Sequence, residues 1–139
     1  ELVTYIEDDD AAAVELCDAD GTAYVKITNF VSNDTRLVQS VAVQPETVYR
    51  IRANVCTESV RGELGATVSI DNYSVDGVYC YSEPVFGTTD WQRITLYVKT
   101  APGQDSLRVA LRLGGYGQQA AGSASFSGVD SGGRRAHPS

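Results

Sequence analysis

Residues 47–56 read Thr-Val-Tyr-Arg-Ile-Arg-Ala-Asn-Val-Cys, with Tyr49, Ile51, Ala53 and Val55 at one parity and Val48, Arg50, Arg52 and Asn54 at the other. A period of two with one apolar side predicts a strand that buries a single face. The turn Gln44-Pro45-Glu46, whose proline presets φ, leads into it. The same plan recurs along the chain. Residues 1–6 predict a first strand, and Ala11, Ala12 and Ala13 suffice for one helical turn. Val14 and Leu16 share a face before the turn Asp18-Ala19-Asp20-Gly21. Residues 22–28 turn Val25 and Ile27 inward, and 29–34 predict a polar loop around Phe30. Residues 36–43 carry Leu37, Val41 and Val43 on one face, with Gln39 beside them.

Residues 58–63 then predict a charged connection. Residues 65–71 alternate Ala66, Val68 and Ile70 against Thr67, Ser69 and Asp71. A turn-rich stretch at 72–77 precedes a short strand at 78–82. Residues 91–100 place Ile94, Leu96 and Val98 together, and residues 106–113 place Leu107, Val109, Leu111 and Leu113 opposite Arg108, Ala110 and Arg112. The strong turn Ala101-Pro102-Gly103 separates these two strands. A glycine-rich loop follows at 114–117, and 124–129 close the domain. About nine short strands at this spacing predict an all-β fold, a two-sheet β-sandwich.

Composition narrows the function. The 139 residues suit one domain, expected at 1–130, with 131–139 a flexible linker or appended tail. A net charge of −7 argues against nucleic acid, whose phosphates call for a basic face. No apolar run reaches membrane-spanning length and no signal-peptide pattern is present, so no membrane insertion is expected. A start at Glu1 rather than Met points to a fragment or mature segment. Three cysteines, Cys17, Cys56 and Cys80, allow one internal bridge. Cys56 with Cys80 is the preferred pair, worth roughly 3 kcal/mol as a loop closure, and three reduced thiols are the alternative. No CxxC or Cys/His spacing suggests zinc.

The order of segments carries a resemblance. Residues 37–45, Leu-Val-Gln-Ser-Val-Ala-Val-Gln-Pro, then Tyr49-x-Ile51-x-Ala53, Asp90-Trp91-Gln92-x-Ile94, Leu107-x-Val109-x-Leu111 and Gly122-x-Ala124-x-Phe126 resemble carbohydrate-binding modules of the galactose-binding-like jelly-roll type. The resemblance spans residues 22–130 as a whole-chain pattern. It implies two antiparallel sheets, a sugar bound on a sheet face or at loop ends, and often a structural calcium ion. Such modules often carry Asp directly after the closing Phe; here that residue is Ser127, and Asp130 comes later. Calcium would rest on Glu7, Asp8, Asp9, Asp10, Asp18, Asp20 and Asp130, with Glu7, Asp20 and Asp130 the chosen ligands. Calcium wants roughly six to eight oxygens. A solvated acidic loop is the alternative reading of the same residues.

The resemblance also implies that the strands of Leu37, Val68, Tyr81 and Val109 share a sheet. Its outer face would show Arg108, Arg112, Thr67, Ser69 and Asp71. Tyr79 and Tyr81 would lie on an edge strand, with Tyr116 in the adjoining loop. Aromatic faces pack against sugar C–H groups while Arg and Asp bond hydroxyls directionally. The expected ligand-binding set is therefore Tyr79, Tyr81, Tyr116, Arg108, Arg112 and Asp71. Singly, each is what an exposed strand ordinarily carries. Parity would expose Trp91, but the resemblance assigns it to covering the sandwich edge. No paired carboxylates flank a groove, no Gly-x-Ser-x-Gly elbow occurs, and the lone histidine lies in the tail, so no catalysis is expected. The reading is a non-catalytic glycan-binding module, extracellular or at the cell surface, attached to other domains of a longer chain. A structural or interaction domain packed on a neighbour is the alternative.

Overall fold

The computed structural model describes residues 2–6, 9–19, 21–75, 78–115 and 118–135. Ten strands are assigned among them: β1 Leu2–Ile6, β2 Ala12–Ala19, β3 Thr22–Asn33, β4 Thr35–Ala42, β5 Thr47–Gly62, β6 Ala66–Val75, β7 Val78–Tyr81, β8 Gly87–Lys99, β9 Ser106–Leu113 and β10 Ala120–Arg135. They form two five-stranded sheets, ordered β1-β4-β9-β6-β7 and β2-β3-β10-β5-β8. Every pairing is antiparallel. The chain is a two-sheet β-sandwich, and β4, β6, β7 and β9 do share a sheet.

The inward parity of each strand fills the space between the sheets. Ile51, Ala53 and Val55 of β5, Val68 and Ile70 of β6, Leu107 and Leu113 of β9, and Phe126 of β10 are buried there. Burying each of the larger ones contributes roughly 2 kcal/mol relative to exposure.

Three elements outrun the sequence pattern. β5 continues to Gly62 because a register shift between Thr57 and Val60 resets its parity, with Ser59 at φ 54°. Thr57 and Val60 are then both buried, although they sit at opposite parities. Gly122 of β10 accommodates this bulge: a Cβ there would meet the Ser59 carbonyl oxygen at 2.5 Å, and its φ is 117°. β3 continues to Asn33 because Asn29 is a buried strand residue rather than a loop residue. Its Nδ2 donates to the carbonyls of Asn33, Leu113 and Ala120 at 3.0–3.2 Å, and Thr35 Oγ1 donates to its Oδ1 at 2.6 Å. β10 pairs with β5 as far as Arg135 opposite Thr47, so the stretch expected as a tail from Ser131 begins inside a strand.

The expected Cys56–Cys80 bridge is absent. Cys56 and Cys80 lie on different sheets, and both, with Cys17, are free thiols. Burial pushes the Cys56 and Cys80 thiols up from their ordinary range.

Candidate functional site

A cross-strand row runs over the outer face of the β1-β4-β9-β6-β7 sheet. Tyr5 pairs with Arg36, Arg36 with Arg112, and Arg112 with Thr67. Facing residues of a ladder share a side, so two arginines stand next to each other on the outward face. Two carboxylates offset them. Arg112 Nη2 lies 3.2 Å from Asp34 Oδ2, and its Nη1 donates to Asp71 Oδ1 at 3.3 Å. Arg36 Nε lies 3.2 Å from Asp71 Oδ2, and its guanidinium carbon sits 4.6 Å from the centroid of the Tyr5 ring. Arg108 Nη2 donates to the Tyr5 hydroxyl at 3.1 Å. Two arginines and two aspartates thus form a charge-balanced lattice, with Arg108 and Tyr5 at its margin.

Of the residues expected here, Asp71, Arg108 and Arg112 come together on this face. Arg112 is 2% exposed, however, and Thr67 and Ser69 are fully buried, so the floor expected to be open is covered. β6 follows β9 only to Ile70 opposite Val109. Asp71 then reaches back to Arg112 and Arg36, on the row of Thr67, and pins the end of the β6–β9 ladder against the face. The Thr67 and Ser69 hydroxyls have no hydrogen-bond partner among the described residues.

Tyr81, opposite Ser69 on edge strand β7, is 40% exposed. Tyr79 also belongs to β7, but its side chain lies outside the described residues, as does all of Tyr116. Gly115 makes room for the lattice, since a Cβ there would sit 2.7 Å from Arg112 Nε at a φ of 149°.

Asp34, Arg36 and Tyr5 belong to this site and were not singled out from the sequence. Arg36 had a readable signal, because it flanks inward Leu37 and so faces out beside Arg112. Asp34 and Tyr5 had none, since their contribution depends on which strands pair.

The proposed calcium ligands fare differently. Glu7 and Asp20 lie outside the described residues. Asp130 lies on β10, where Arg52 Nη2 donates to its Oδ2 at 2.5 Å. That bond, first among the influences on it, holds its carboxyl below the ordinary carboxylate range. An aspartate engaged in this way by a guanidinium does not fit a cation ligand. No cluster of three or more His, Cys, Asp or Glu capable of holding a metal occurs among the described residues.

Trp91 does not cover the sandwich edge. It stands on the outer face of the β2-β3-β10-β5-β8 sheet, 48% exposed, with its ring centroid 6.0 Å from that of Tyr24.

No family model and no curated protein matches the chain. Solved structures do. A family 4 carbohydrate-binding module superimposes with a TM-score of 0.64 at 17% identity, covering 96% of this chain and 86% of that one. The chain has the β-sandwich fold of carbohydrate-binding modules. A family 11 carbohydrate-binding module from Clostridium thermocellum, in complex with a β-1,3-1,4-mixed-linked tetrasaccharide, matches with a TM-score of 0.53 at 13% identity, covering 92% and 86%. The fold is not confined to such modules. A cyclase from Fischerella sp. TAU, bound to 4-(1H-indol-3-yl)butan-2-one, matches with a TM-score of 0.60 at 12% identity over 99% and 86% of the two chains. No helix is long and apolar enough to cross a membrane among the described residues.

Proposed function

We propose that this sandwich is a non-catalytic carbohydrate-binding module of a larger extracellular protein, and that it takes a glycan across the outer face of the β1-β4-β9-β6-β7 sheet. The observation that carries the reading is the ordered polar array on that face. Arg108, Arg36 and Asp71 are held at fixed positions by Tyr5 and Arg112, and Tyr5 and Tyr81 stand half-exposed at the two edge strands. Prearranged donors and acceptors flanked by aromatic rings are what a sugar's hydroxyls and C–H faces require. The likeness of the fold to carbohydrate-binding modules supports the same reading.

In this arrangement Arg108 and Tyr81 touch the ligand. Arg112 is a positioning residue, because at 2% exposure it acts through Asp71 and Asp34. The two carboxylates direct their oxygens at guanidiniums rather than facing each other across a cleft, which supports a binding rather than a hydrolytic role.

The burial of Arg112, Thr67 and Ser69 is the observation that favours the other reading, an interaction domain whose lattice is purely structural. Calorimetric titration with glycans selected from a broad polysaccharide panel separates the two. A module of the proposed kind binds at least one, and Arg108→Ala or Tyr81→Ala weakens it about tenfold or more with melting temperature unchanged. A folded protein that binds none is the interaction domain.

A further inference from the structure

The outer face of the opposite sheet, β2-β3-β10-β5-β8, carries a trough of about 460 Å³. Trp91 of β8 and Tyr24 of β3 wall it, and Asn54, Cys56, Ser125 and Ser127 lie along it. Two strands, β10 and β5, separate β3 from β8. At ~4.8 Å per strand the two aromatic side chains begin roughly 14 Å apart. Their ring centroids nevertheless approach to 6.0 Å with planes at 80°. They can lean together in this way because the strands between them present only Ser, Cys and Asn.

The polar groups in the trough are paired across its two central strands. Ser127 pairs with Asn54 and Ser125 with Cys56, so hydroxyl, amide and thiol stand in two adjacent cross-strand rows. Arg93 Nε donates to Asn54 Oδ1 at 3.3 Å, which leaves the amide nitrogen on the other side as a donor. Gly128 makes space for that nitrogen: a Cβ there would sit 2.8 Å from Asn54 Nδ2. No residue lining the trough carries a formal charge.

An indole left half in water is an unspent binding surface, and a trough of this volume lies within the range of small-molecule sites. Aromatic walls over an uncharged row of hydroxyl and amide groups suit a ligand with apolar C–H faces and equatorial hydroxyls. We infer that this trough is a second binding site, for a short neutral oligosaccharide, with a pyranose ring against Trp91 and its hydroxyls on Asn54 and Ser127. It goes beyond the first reading, and it makes the module two-faced, able to grip sugar on both sides of the sandwich. Arg93 faces Asn54 and Lys26 faces Ser125 across the ladders, so the cations nearest the trough border it without lining it.

Trp91 is the only tryptophan in the chain, so all tryptophan emission arises at this trough. The probes are cellotetraose, xylotetraose and β-1,4-galactotetraose, with trigalacturonate as the charged control, each added to ~10 mM, enough to reveal a Kd of ~1 mM. At least one neutral probe should shift tryptophan emission saturably in the parent protein and equally in Arg108→Ala, whose substitution lies on the other sheet. The apparent Kd should rise about tenfold or more in Tyr24→Ala and in Ser127→Asp.

A second readout uses no substitution. The same probe should slow alkylation of Cys56, followed by peptide mass mapping. Emission unmoved by every neutral probe, or a shift without protection of Cys56, overturns the inference. A shift abolished by Arg108→Ala but indifferent to Tyr24→Ala assigns the sugar to the first face alone and also overturns it.

Discussion

Arg112 donates through Nη1 to Asp71 at 3.3 Å from a position 2% open to solvent. A guanidinium so placed is tolerated only because two carboxylates meet it, and removing one member of such a group strands the others. Arg112→Ala should therefore cost about 3 kcal/mol in urea unfolding, far more than the ~0.5 kcal/mol of an exposed pair. A loss below ~1 kcal/mol would show that the lattice is fully solvated.

Gly115 tests the same lattice from its other side. A methyl group at this position would press on Arg112 at 2.7 Å. Gly115→Ala should destabilise the fold by about 2 kcal/mol or more, and the double variant with Arg112→Ala should cost clearly less than the sum of the two single changes. Strict additivity would show that Gly115 does not act on Arg112.

Thr67 predicts a gain rather than a loss. Its hydroxyl is buried without a partner among the described residues. Thr67→Val replaces that oxygen with a methyl group of nearly the same shape and should stabilise by about 1 kcal/mol, a rise of roughly 3 °C or more in melting temperature. A fall in melting temperature would mean that the hydroxyl is hydrogen-bonded in solution.

The β-sandwich was legible wherever one parity stayed apolar, as at Tyr49-Ile51-Ala53-Val55 and Leu107-Val109-Leu111-Leu113. It faded where a bulge or a buried polar residue interrupted that parity. Ser59 shifts β5 by a residue and makes Glu58 and Arg61 resemble a connection. Asn29 is a buried amide holding three carbonyls, and a strand carrying it resembles a polar loop. The site divides similarly. Arg108, Arg112 and Asp71 could be placed on one face by parity and an assumed strand order. Asp34 and Tyr5 depend on pairing with distant strands, and the cover over Thr67 depends on where β6 leaves β9. Neither is encoded in any local pattern. Parity did expose Trp91; Tyr24, its partner across two intervening strands, could not be read from either segment alone.

Asp130 gives a pH prediction. The hydrogen bond from Arg52 depresses its carboxyl pKa, so folding favours the charged form. The stabilisation this brings is present above the pKa of the unfolded chain and is lost as the pH falls through the folded value. Carboxyl-carbon NMR titration should place the Asp130 midpoint below the usual carboxylate range, and Arg52→Ala should raise it toward that range. The same midpoint in both proteins would show that the pair is not formed in solution.

The central claim is that a glycan lies over the sheet bearing Arg108, Arg36 and Tyr81. Amide chemical-shift mapping of the ¹⁵N-labelled protein with the tightest glycan from the panel tests it most directly. The largest shifts are predicted on β4, β9 and β7, around Arg36, Arg108 and Tyr81, and they should collapse in Arg108→Ala. Shifts confined to β3, β5 and β8, with β4 and β9 silent, would contradict it and leave the Trp91 trough as the module's sugar site.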